Sequence, residues 1–221
     1  MVRPRFAKLQ AEQQDAIRQA ALQEFAGHGF HDASLNRVIE AAGISKGSMY
    51  YYFDGKEDLY IYVVKTQLEE LFARVGPVQL SDADPDAFWA AVADFYLQLI
   101  TTLSASPQMA ALIRGWIAAA GTAALRQAQQ DLEQAATPRI AQALAAGQRA
   151  GAVRTDLPAD LLIAVIFGMG QAMDTWLITR QPDQDDLPRL IAALTDMIRR
   201  AVEPSDTRQP VHVRRGHTGD R

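Results

Sequence analysis

The sequence predicts an all-α chain, with a small N-terminal three-helix module built on a helix-turn-helix and a larger C-terminal helical body. Three observations carry this. Apolar residues recur with helical spacing in nearly every segment. No stretch alternates with period two for long enough to make a strand. Glycine and proline fall mostly between the periodic segments, where helices stop and start.

Residues 12–27 place Ala16/Ile17, Ala20/Ala21 and Phe25 on one stripe, and Gly27 and Gly29 break it. Leu35, Val38, Ile39 and Ala42 then fall at i, i+3, i+4 and i+7, one face of a short helix. Ser34 stands at its N-cap, with its side-chain oxygen expected to accept from an orphan N–H, and Gly43 closes it as C′. Ser45 is placed to cap a second short helix two residues later, which completes the helix-turn-helix. Asp54-Gly55 makes a tight turn into a helix from Lys56 to about Val75, with Leu59, Val63, Leu68, Leu71 and Phe72 inward. Gly76-Pro77 ends that helix, and the acidic loop at 81–86 carries Pro85, suited to a first helical turn. Helices are expected over 86–103, 107–121, 122–151, 158–180 and 187–202. Pro138 either kinks or splits the third of these, or starts a new helix capped by Thr137. Residues 204–221 are polar with no apolar face and are expected to form a disordered tail.

Composition narrows the function. The 221 residues are 48% hydrophobic, enough to bury a core. The absence of cysteine excludes disulfides, thiolate metal sites and cysteine nucleophiles. The four histidines show no metal-ligand spacing, and there is no P-loop, dinucleotide fingerprint or nucleophile elbow. No enzyme activity, metal or cofactor is therefore expected. The N-terminus lacks the apolar run of a secretory signal. The apolar stretch 157–178 is interrupted by Asp160, Gln171 and Asp174, so no membrane span is expected and the protein is read as cytoplasmic. The net charge is −4, and residues 1–62 are near neutral. Arg3, Arg5 and Lys8 nevertheless precede the first acid, Glu12, and Lys46 and Lys56 flank the second motif helix. A nucleic-acid binder needs such local positive potential rather than a basic average.

The run Ala42-Gly43-Ile44-Ser45-Lys46-Gly47-Ser48-Met49-Tyr50-Tyr51-Tyr52-Phe53, with Lys56-Glu57-Asp58-Leu59 after it, resembles the DNA-binding domain of the tetracycline-repressor (TetR) family of transcriptional regulators. The resemblance in motifs covers roughly residues 12–65. It implies a homodimeric regulator that binds a palindromic double-stranded DNA operator, acting as a repressor released by a small-molecule effector. It also implies an N-terminal arm and DNA-binding domain over 1–55, a connecting helix over 56–75 and an effector-binding and dimerisation domain over 76–203. Helices 158–180 and 187–202 are the expected dimer interface. The alternative is a helical ligand-binding or protein-interaction module without DNA binding.

Four consecutive bulky aromatics cannot all enter a three-helix core. Met49 and Phe53, four apart, share the inward face and leave Tyr50, Tyr51 and Tyr52 as an exposed patch suited to sugar, thymine methyl and phosphate. By resemblance, Ser45, Lys46, Gly47, Tyr50 and Tyr51 face the major groove, and Ser34, Tyr52 and Lys56 meet phosphate. Asn36 and Arg37 have the chemistry to read adenine and guanine. Glu24 departs from the family, which favours an apolar residue there; it either loosens the first helix or forms a local ion pair. In the body, Phe95, Met109, Trp116, Phe167, Met173 and Asp174 are the expected effector contacts, large soft apolar groups beside a stranded acid.

Overall fold

A computed structural model of the chain describes residues 4–81, 84–118 and 122–204. Among them there are helices and turns but no strand: α1 (Ala11–Asp32), α2 (Leu35–Ala41), α3 (Lys46–Tyr52), α4 (Lys56–Val75), α5 (Pro85–Ser104), α6 (Pro107–Ala118), α7 (Ala123–Arg149), α8 (Ala159–Arg180) and α9 (Leu187–Val202). The tail expected from 204 lies, from residue 205 on, outside the described residues, as does Arg3.

Local chemistry explains most boundaries. Ala42 and Gly43 end α2 in a Schellman arrangement. The Gly43 N–H donates to the Glu40 carbonyl at 3.1 Å and the Ile44 N–H to Ile39 at 3.2 Å, while Gly43 takes φ +64°, a value that favours glycine. Ser45 caps α3 by accepting the Ser48 N–H at 3.0 Å. Asp84 caps α5 in the same way, accepting from Ala87 at 2.8 Å, with Pro85 at the first position. Two boundaries differ from expectation. The first helix runs past Gly27 and is broken at Gly29, where φ is +68°, with a further helical turn to Asp32. Pro138 neither splits α7 nor starts a new helix. It lies on an exposed stretch, so the Gln134 carbonyl that proline leaves without a donor is open to solvent.

The N-terminal module is packed around Ile17, Ala21 and Phe25 of α1, Val38 of α2, Met49 and Phe53 at α3, and Leu59, Val63 and Val64 of α4, all buried. Each such side chain contributes about 1.5–3 kcal/mol relative to exposure. This core does not stop at the module. It runs through Tyr60 into Leu112, Ile113 and Trp116 of α6 and Leu125 of α7, so α1 and α4 pack directly on the body. A second cluster joins Phe88 and Trp89 of α5 to Leu144, Val153, Leu162 and Val202; a third joins Ile100, Leu177, Leu187 and Ile191.

Phe6 anchors the chain start. It sits in a short 3-10 turn and is buried against Tyr52, Phe53 and Tyr62, with ring centroids 5.0–5.9 Å away. The start of the chain is thus anchored to the module at Phe6.

Close approach at Gly147 closes the body. Its carbonyl accepts from Ala152 and Val153 at 2.8 and 3.1 Å, and an added Cβ would lie 2.6 Å from Val153 and 2.8 Å from Phe88. Gly147→Ala should therefore destabilise the protein by about 1–3 kcal/mol, read as a lower urea midpoint at unchanged helical content.

Candidate nucleic-acid interface

Helix α3 owes its orientation to the two residues it buries. Met49 and Phe53 are essentially inaccessible, which turns Tyr50 and Tyr51 outward at 45% and 48% exposure. Ser45, Lys46 and Gly47 are exposed at the start of the same helix, and Asn36 is exposed on α2. Tyr52 differs from expectation. It is half-buried against Phe6 and the core, so the outward aromatic pair is Tyr50 and Tyr51. The Arg5 guanidinium lies 4.5 Å from the centroid of the Tyr51 ring, adding a cation to this face. The sequence put Arg5 in the basic arm but gave no signal for its position on Tyr51. That position follows from Phe6, whose isolated aromatic ring in a polar stretch is the one legible hint.

Two cations of the sequence-derived set are engaged inside the module. Arg37 donates from Nε to both Glu24 oxygens at 2.9 and 3.0 Å and from NH2 to the Asp32 carbonyl at 3.0 Å. Glu24 is buried and also accepts the Ser34 N–H at 2.7 Å. Of the two outcomes open for Glu24, the ion pair is the one formed, and it holds the start of α2 against α1. Among the described residues the Ser34 hydroxyl makes no capping hydrogen bond to α2. Base reading by Arg37 would require breaking a fork on a buried carboxylate, whereas Asn36 on α2 is exposed. Lys56 donates to the carbonyls of His31 and Ala33 at 2.7 and 3.1 Å and lies 4.9 Å from the Phe30 ring centroid. It ties the first turn of α4 to the end of α1 instead of projecting freely.

In the body, the six expected effector residues do not surround one cavity. Met109 and Trp116 belong to the core shared with the N-terminal module, and Phe95 packs on it. Met173 is buried and Phe167 is half-buried elsewhere on α8. Asp174 accepts a hydrogen bond from the Tyr96 hydroxyl. Burial raises the Asp174 pKa, opposed by that bond, and burial also pushes the Tyr96 phenol upward. A cavity of about 260 Å³ lies instead where α5, α6 and α8 meet the turn before α9, between Leu103, Arg114, Leu177 and Leu187.

Comparisons with known proteins agree with this architecture. Residues 17–63 match the family model for bacterial regulatory proteins of the tetR family. The transcriptional regulator RutR of Escherichia coli is 46% identical over 54 residues, covering 24% of this chain and only 26% of RutR. The transcriptional repressor Rv1474c of Mycobacterium tuberculosis is 26% identical over 188 residues, 82% of this chain and 88% of that protein. Among solved structures, the regulator FadR of Bacillus subtilis in complex with stearoyl-CoA superposes with a TM-score of 0.64 at 20% identity, covering 83% of this chain and 96% of that one. The fold is that of a helix-turn-helix regulator with a helical C-terminal domain. Over residues 17–63 the chain is similar to the tetR family of bacterial regulatory proteins.

Arg37's hydrogen bonds, above all, hold the Glu24 carboxyl below the usual carboxylate range; burial opposes them and the Ser34 N–H adds to them. A depressed native pKa adds stability that is complete above the unfolded value, about 4.3, and is lost as pH falls through the native one. Glu24→Gln should therefore lower the melting temperature at pH 7 and flatten its fall below about pH 4.3. Arg37→Ala should likewise lower the melting temperature, whereas Asn36→Ala should leave it unchanged; thermal scans of the three variants check this.

Proposed function

We propose that the chain is a homodimeric DNA-binding transcriptional regulator, a repressor that leaves a palindromic operator when a small-molecule effector binds. Its DNA-binding domain spans 1–55, α4 connects, and 76–203 bind the effector and the second subunit. The observation that carries this is the outward face of α3: two exposed tyrosines, with Arg5 on one of them, beside Ser45, Lys46 and Gly47. A short helix with this face fits a major groove, the rings packing on sugar and methyl groups and the cations meeting phosphate. Ser45, Lys46, Gly47, Tyr50, Tyr51 and Asn36 are the groove-facing set; Ser34 and Tyr52 flank it toward phosphate.

A palindromic operator needs two modules about 35 Å apart, which a fixed dimer supplies. Helix α8 offers the surface. Leu161, Val165, Gly168, Ala172 and Trp176 recur at helical spacing and are exposed, and Met197 of α9 is 56% exposed. Neither Gly168 nor Gly170 has an atom within 4 Å of an added Cβ, so a partner helix has room to approach. By length and composition α8 could cross a membrane. Its contacts with α6, α7 and α9 and its bonded Asp174 favour a helix of a soluble dimer in the cytoplasm. FadR, a structure of the same fold, is in complex with stearoyl-CoA, which supports the reading that a small molecule is bound here too.

Labelled duplexes from the intergenic DNA beside the gene, titrated at several salt concentrations, test the reading; no salt-dependent, sequence-selective shift would sink it. Tyr50→Ala and Tyr51→Ala should each weaken operator binding by about 1–3 kcal/mol without changing helical content. Trp176→Asp should yield monomers by sedimentation at micromolar concentration and abolish the operator shift, because a carboxylate would have to be buried unpaired at the subunit contact.

A further inference from the structure

The body contains four polar groups that interrupt apolar helices, and the structure separates their roles. Asp94 and Gln171 are exposed, and Asp174 is bonded to Tyr96. Arg114 is different: it is half-buried on α6, lines the 260 Å³ cavity, and among the described residues has no ion-pair or hydrogen-bond partner. The walls around it combine apolar Ile100, Leu103, Leu177 and Leu187 with polar Ser104, Gln181 and Gln184. The C-terminal ends of α5 and α8 and the N-terminal ends of α6 and α9 all border the cavity, so their dipoles offset one another and Arg114 sets the sign. The acids on the adjoining turn, Asp183, Asp185 and Asp186, are exposed and do not line it. Gln181, on the rim, ends α8 in a left-handed conformation at φ +48°, its N–H donating to the Leu177 carbonyl at 3.0 Å.

We infer that this cavity is the effector site and that it takes a small apolar monocarboxylate, with the carboxylate on Arg114 and the chain among Leu103, Leu177 and Leu187. The inference rests on the regulator reading above and names the ligand class for it. A guanidinium left unpaired beside a partly apolar cavity is matched by a single planar anion joined to an apolar tail. The volume, just below the roughly 300–1,000 Å³ of most ligand pockets, limits the tail to a short one. The site also has a direct route to the N-terminal module. Gly115 and Trp116 follow Arg114, and an added Cβ at Gly115 would sit 3.4 Å from the Tyr60 hydroxyl. The Trp116 ring lies 5.8 Å from Tyr60, which packs on Phe25 and Phe30 of α1 at 4.8 and 5.1 Å. Among the described residues the Tyr60 hydroxyl is buried without a hydrogen-bond partner, so this junction carries an unsatisfied polar group.

The test uses the full chain with octanoate and 4-phenylbutyrate as probes, each against its matched alcohol and amine, read by Trp fluorescence and thermal shift. At least one carboxylate should bind about tenfold or more tightly than its alcohol or amine. Arg114→Gln should cut that binding about tenfold or more while leaving the alcohol's affinity unchanged. Ser104→Phe, at the exposed rim, should block both carboxylate and alcohol. The bound carboxylate should lower duplex affinity of the wild-type protein and not of Arg114→Gln. The inference is overturned if neither carboxylate binds, if the amines bind as tightly, if Arg114→Gln binds carboxylate like wild type, or if binding leaves duplex affinity unchanged. A protein that shifts duplex but ignores carboxylates refutes only this cavity assignment; one that binds carboxylate but no duplex refutes the regulator reading itself.

Discussion

The structure depends most on the contact of α1 and α4 with α6 around Tyr60. Its ring fills the space between Phe25, Phe30 and Trp116, and through it one continuous core joins the N-terminal module to the body. A module tethered only by a linker would move independently of anything bound behind it. Here a shift of α6 must displace either the Tyr60 ring or α1, because a close-packed core has few intermediate arrangements. Coupling between the two ends of the molecule is thus built into the packing and needs no separate hinge.

A second layer of constraint is polar. Glu24 gathers Ser34 and Arg37, and Lys56 gathers the carbonyls of His31 and Ala33. Together these fix α2 and the first turn of α4 to the end of α1. Arg18 of α1 adds an ion pair to Glu70 further along α4. With the frame held this way, α3 needs only Met49 and Phe53 to hold it and can present its remaining residues outward.

The helices were largely legible in the sequence because their signals are local. Gly43 and Ser45 mark ends by backbone conformation and capping, and the Met49–Phe53 spacing places the tyrosines. What was not legible depended on partners distant in sequence. Arg37 looks like a base reader until Glu24, thirteen residues earlier, is seen to claim it. Lys56 looks solvated until the end of α1 is brought to it. The aromatic content of the body gave no way to separate packed core from cavity wall, since Trp116 and Met109 serve the first and Arg114 the second. Phe6 shows the same limit, because one aromatic ring has no period.

The internal use of Arg18, Arg37 and Lys56 bears on how the protein would find its site. Among the described residues of the N-terminal module, the cations left facing outward are Arg5, Lys8 and Lys46, on a chain of net charge −4. On the regulator reading, these three cations per subunit would set the response to ionic strength, since each neutralised phosphate contributes about 0.9 to the salt exponent. On that reading, sequence selection would rest on the shape and methyl contacts of Tyr50 and Tyr51.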